Sequence, residues 1–114
     1  MRPGEIYLAL FPFGDVPGMK LRPVLLLTGA VGSVPEILVS YISSVIPSPL
    51  LPSDLVLDPT RPEFRSTNLK TLSTLRLHNL ATIHKSGLVR YLGFVDLLTG
   101  ILVARKLKVL FALS

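Results

Sequence analysis

The stretch GMKLRPVLLLTG, Gly18 to Gly29, decides how the rest of the chain is read. Val24 to Thr28, four apolar residues and a threonine between Pro23 and Gly29, read as a buried β-strand. Arg22 and Lys20 stand at its mouth. Proline fixes its own φ and biases the preceding residue toward extended geometry. Arg22 therefore leaves a strand end at a defined point, which a charge needed only for solubility does not require.

Outward from this strand the chain continues in the same style. Glu5–Phe13 alternates Ile6, Leu8 and Leu10 against Tyr7, Ala9 and Phe11, and reads as a first strand ended by Pro12. Gly14–Lys20 holds two glycines and a proline and reads as a loop. Glu36–Ile46 reads as a long third strand and Leu55–Asp58 as a short fourth. Pro59–Asn68, with Arg61, Arg65 and two prolines, has no apolar period and reads as a mobile basic loop. Leu69–Leu77 and Leu80–Lys85 read as a pair of strands, and Arg90–Asp96 as a last one.

Asp96 can cap a terminal helix over Leu97–Leu113. On a helical wheel, Leu97, Val103, Ala104, Leu107, Leu110 and Phe111 share one face. Leu98, Leu102, Val109 and Leu113 are left on other faces and need cover, for which a second subunit is a natural source. Short strands, Gly/Pro turns and one C-terminal helix predict a mainly β domain over residues 1–114. Its expected form is a small, strongly curved antiparallel sheet or barrel with a packed helix.

Composition narrows the chemistry. Hydrophobic residues make up 49% of the 114, ample for one core. The chain has no cysteine, so disulfides, thiolate zinc sites and cysteine nucleophiles are excluded. No apolar run reaches the ~20 residues of a membrane span. Glu5 interrupts any signal-peptide core, which points to a cytoplasmic protein. Lys plus Arg number 12 against 7 acids, a net +5 that favours a polyanionic partner. The seven carboxylates are scattered, none sits with histidine at metal-ligand spacing, and phosphate-loop and nucleophile-elbow motifs are absent. No metal or cofactor is expected.

Arginine, hydroxyls and two histidines remain. Ser43 and Ser44 lie near the end of the third strand. Arg76 and His78 are two apart on a strand and point to one face, with Leu75 and Leu77 on the other. A guanidinium fork binds phosphate oxygens and an imidazole moves a proton near neutral pH. The same pair is also what an ordinary solvated strand face looks like. His84 reads as a surface turn residue.

These segments resemble the MazF/PemK/Kid family of toxins from bacterial toxin–antitoxin pairs. The resemblance is carried by RPGEIYLALFPFGD (Arg2–Asp15), KLRPVLLLTG (Lys20–Gly29), VSYISSVIP (Val39–Pro47) and LSTLRLHNLATIHKSGLVRYLGFVD (Leu72–Asp96), in that order. It implies an SH3-like barrel with a C-terminal helix, usually a homodimer, and a cognate acidic antitoxin. It also implies a metal-independent endoribonuclease that cuts single-stranded mRNA at short sequences, by 2′-OH attack to a 2′,3′-cyclic phosphate and a 5′-hydroxyl. By the same resemblance Arg22 holds the scissile phosphate, Ser43 stands where relatives carry threonine, and Arg76 assists phosphate binding or leaving-group protonation. His78 replaces an aspartate proposed as base, and it can take that proton or stack on a nucleobase. Lys20, Ser44, Arg61 and Arg65 are expected to contact RNA. The first loop lacks the histidine that some relatives have there. The alternatives are a CcdB-type toxin that binds gyrase without catalysis, or a family member that only binds antitoxin or nucleic acid.

Overall fold

A computed structural model describes residues 1–12 and 19–113 of the chain. Most of the loop expected over Gly14–Lys20 lies outside them. The strands are β1 (Glu5–Pro12), β2 (Met19–Leu26), β3 (Glu36–Ser43), β4 (Asp54–Leu57), β5 (Ser73–His84) and β6 (Leu88–Phe94), followed by helix α1 (Leu97–Leu110). They form one antiparallel sheet in the order β4-β5-β3-β2-β1-β6. Among the described residues no ladder joins β4 to β6, so the curved sheet stays open.

Alternation along the strands builds two packed clusters. Ile6, Leu25, Ile42, Leu75 and Leu77 join Val103 of α1 in one. Ala9, Phe11, Val24, Leu26, Ile37 and Val39 form the other. Neighbours in sequence, such as Val24 and Leu25, thus serve different clusters, as the period of two requires. Pro23 stands opposite Leu8 of β1, while β3 pairs with β2 only from Val24 onward. The proline therefore lies where the ladder to β3 has ended, a position at which its missing donor is tolerated.

Several elements differ from their sequence reading. The expected pair of strands around Leu77 and Leu80 is one 12-residue strand, β5. Tyr41 of β3 stands opposite Arg76, and the next residue back, Ser40, stands opposite Leu80. Leu77, His78 and Asn79 are thus extra on β5 and bend it without ending it. The Ser40 hydroxyl donates to the Arg76 carbonyl at 2.9 Å and fixes the bend. The third strand stops at Ser43, whose Oγ accepts from the Val45 amide at 3.0 Å and turns the chain.

Pro59–Asn68 is not a free loop. Pro62–Thr67 form a 3₁₀ turn with Phe64 packed on the core and Thr67 buried. The Ser66 hydroxyl donates to the Phe94 carbonyl and the Asn68 amide to that of Leu92, each at 2.7 Å. One aromatic and two hydrogen bonds to β6 hold the segment, and neither leaves a periodic signal in sequence.

Helix α1 begins as expected, with Asp96 Oδ1 accepting from the Thr99 amide at 2.8 Å. Hydrogen bonds from Thr99 hold the Asp96 carboxyl below the usual carboxylate range. Its buried stripe, however, runs through Thr99 and Val103 to Leu107, in steps of four. Leu97, expected on that face, is 80% exposed, and Phe111 is also exposed. Leu98, Ile101, Leu102 and Val109 are exposed as well, so α1 carries much of its apolar surface outward. No helix is long and apolar enough to cross a membrane.

Candidate active site

The strand registers bring the expected residues to one sheet face. Tyr41 of β3 stands opposite both Val24 of β2 and Arg76 of β5. Opposed residues of antiparallel strands project to the same side. Arg22 is two residues from Val24, and Ser43 is two residues from Tyr41 and opposite Thr74. Arg22, Tyr41, Ser43 and Arg76 therefore form a row across β2, β3 and β5. Lys20, two residues before Arg22 and opposite Phe11, extends it. Tyr41 is fixed in the row by stacking on Phe11, with ring centroids 5.3 Å apart.

The side chains differ in how they are held. Arg22 is half-buried and its Nη1 donates to the Leu21 carbonyl at 3.0 Å. Ser43 is nearly buried, and accepting from Val45 leaves its O–H able to donate. Arg76 Nε donates to Asp54 Oδ1 at 3.0 Å. Asp54 faces Arg76 from β4, and its side chain is fully buried. His78 Nδ1 lies 3.9 Å from the same Oδ1 and 3.5 Å from Ser53 Oγ. Two nitrogens so close to one oxygen put the arginine and imidazole side by side. Among the described residues, the terminal guanidinium nitrogens of Arg76 and Nε2 of His78 take no hydrogen-bond partner.

Arg22 also borders a cavity of about 260 Å³. Its other polar lining includes Lys70, Arg90, Ser44, Thr71 and Ser73, and three cations and no acid line it among the described residues, which favours an anion.

Other expected contacts fall elsewhere. Ser44 alternates to the opposite side from Ser43 and lines the cavity instead. Arg61 caps the 3₁₀ turn and Arg65 lies on it, against β6. Arg61 Nε is paired with Glu63 Oε1 at 2.8 Å. His84 accepts from the Ser86 amide at 3.0 Å and is the turn residue its sequence suggested. The sequence reading passed over Tyr41, Asp54, Lys70 and Arg90. Only the registers show that Asp54, just outside the fourth strand as read from sequence, faces Arg76. Among the described residues no group of acids and histidines has the geometry to hold a metal ion.

A family model described as the PemK-like, MazF-like toxin of type II toxin–antitoxin systems matches residues 2–111. No curated protein matches the chain by sequence. Among solved structures, it is similar to the Mycobacterium tuberculosis toxin MazF-mt6, with a TM-score of 0.75 and 23% identity over 96% of this chain and 98% of that one. It is similar to a mycobacterial endoribonuclease in complex with its cognate antitoxin, with a TM-score of 0.71 and 17% identity over 100% and 97%. It also matches a MazE–MazF structure from Deinococcus radiodurans, with a TM-score of 0.69 and 16% identity over 99% and 96%. At these identities the structures speak for the fold. The family model spans nearly the whole chain: the protein belongs to the PemK-like, MazF-like toxins of type II toxin–antitoxin systems.

Proposed function

We propose that this toxin is a metal-independent, sequence-specific endoribonuclease acting on single-stranded mRNA. The observation that carries the reading is the shared face of Arg22, Ser43 and Arg76, with the free fork of Arg76 beside His78. Arg22 and Arg76 hold the scissile phosphate, and Ser43 donates to one of its oxygens. His78 Nε2 takes the proton of the ribose 2′-OH. The 2′ oxygen bonds to phosphorus, and the bond to the 5′ oxygen breaks. The 5′ oxygen leaves with a proton from solvent. The products are a 2′,3′-cyclic phosphate and a 5′-hydroxyl. The two guanidinium groups stabilise the extra charge of the phosphorane, the role that preorganised donors fill best. Lys20 and the Lys70–Arg90 recess add attraction for the RNA backbone.

Incubation with long single-stranded RNA in EDTA tests this directly. Cleavage at a short recurring sequence with cyclic-phosphate ends is expected. RNA left intact across all sequence contexts would sink the reading.

Two partners belong to it. A second copy of the chain covers the exposed leucines of α1, and an acidic antitoxin segment meets the +5 surface. A solved relative is itself in complex with its cognate antitoxin. Sedimentation equilibrium is expected to give twice the 12.4 kDa chain mass. A mass of one chain at micromolar concentration rules the homodimer out.

A further inference from the structure

We infer that Asp54 is a positioning residue of this site: its buried carboxylate aims the fork of Arg76 and Nε2 of His78 outward together. The inference rests on the endoribonuclease reading. A fully buried carboxylate is expensive to desolvate and contributes little stability that an apolar side chain would not supply. Val56, two residues along β4, places an apolar side chain on the same face of the strand.

The way Asp54 is bonded gives it a use. Oδ2 accepts from the Leu51 amide at 2.8 Å, which locks the carboxylate to its own turn. Oδ1 faces Arg76 Nε at 3.0 Å. A salt bridge made for its own sake would take the guanidinium end-on, with two parallel bonds. This one takes the side nitrogen alone and spends one of five N–H groups. The four on the terminal nitrogens remain for a phosphate, and the guanidinium plane is fixed.

His78 needs a holder for a different reason. It lies in the three-residue insertion of β5 and has no ladder partner on β3. Asp54 Oδ1 and Ser53 Oγ both face its Nδ1, and Lys106 of α1 lines the same recess with its Nζ bonded to the Pro52 carbonyl. At 3.9 Å the Asp54 carboxylate favours a proton on Nδ1 by charge, the nearer Ser53 hydroxyl can accept it, and the lone pair is then left on Nε2, the tautomer a general base needs.

Asp54→Asn in the full-length protein separates positioning from architecture. Long-range ¹H–¹⁵N spectra at about pH 8, where imidazole is neutral, are expected to show His78 protonated at Nδ1 in the native protein. In D54N that signature gives way to the Nε2–H form. Native protein already in the Nε2–H form, or a D54N spectrum unchanged from native, overturns the inference whatever the RNA assay shows. In that assay D54N is expected to lose about 10²-fold in kcat with KM changed by less than about threefold, the pattern of an interaction made in the transition state. Native protein that cleaves RNA no faster than D54N overturns the role of Asp54 alone. Native protein that leaves RNA intact overturns the endoribonuclease reading and this role with it. Should D54N fail to fold, Arg76→Lys keeps the ion pair but has no second arm to offer. It is expected to lose as much activity as D54N would. More than a tenth of native kcat in R76K overturns the inference.

Discussion

Replacing Arg22 by alanine is expected to lower kcat for RNA cleavage by about 10²–10³-fold while the melting temperature stays within a few degrees of native. The loss follows from what the guanidinium meets. As the 2′ oxygen attacks, the phosphate gains charge, and donors already in place stabilise it without reorganising. On the proposed reading Arg22 serves this step, with Pro23 behind it and its bond to the Leu21 carbonyl holding it in place. The fold is insensitive because Arg22 stands where the β2–β3 ladder has ended and contributes no side chain to either core cluster. Arg76→Ala makes an instructive contrast. On the proposed reading it too removes a phosphate donor, but it also leaves the buried Asp54 carboxylate without its cation. Breaking such a pair costs about 3–5 kcal/mol when fully buried, and less here because Arg76 is partly exposed. R76A should therefore lose both activity and stability, and R22A activity alone. Equal melting temperatures for the two variants, read by circular dichroism, would show that Asp54 does not depend on Arg76.

The second large effect is on the fold. Gly93→Ala is expected to destabilise the protein by about 3 kcal/mol or more, and to lower its melting temperature by about 10 °C or more. A β-carbon at Gly93 collides with the carbonyl oxygens of Ser66 and Thr67. These are backbone atoms, and they cannot retreat without giving up the bonds from Ser66 to Phe94 and from Asn68 to Leu92. Gly100→Ala supplies a control of opposite sign. A β-carbon there meets nothing within 4 Å, and alanine in a helix gains about 0.5–1 kcal/mol over glycine. G93A melting at the native temperature would mean that the 3₁₀ turn does not lean on β6.

The contrast between these glycines shows what the sequence discloses. Strands with a clean alternation, such as β1, were legible, and so was the Asp96 cap. Arg22 was legible as a placed charge because a proline and an apolar run frame it. The 3₁₀ turn was not, since Phe64 and two side-chain bonds to β6 have no period. The bend in β5 was missed because Asn79 looks like a turn, whereas the Ser40 hydroxyl absorbs the extra residues within one strand. Asp54 escaped for a stronger reason. Its partners lie 22 and 24 positions away in sequence, and only the β4–β5 register makes them neighbours. The α1 face was right at Val103 and Leu107 but took Leu97 and Phe111 in place of Thr99, because the wheel ranks leucine above threonine while the sheet accepts the smaller side chain.

The interleaving along β5 has one more consequence. Leu75 and Leu77 complete the core from the same strand that carries Arg76 between them. A pairing slipped by one residue would turn every side chain of the strand over, burying the guanidinium and exposing both leucines. Under the proposed ribonuclease reading, scaffold and phosphate fork stand on alternate residues of a single strand, and a chain mispaired there loses both at once.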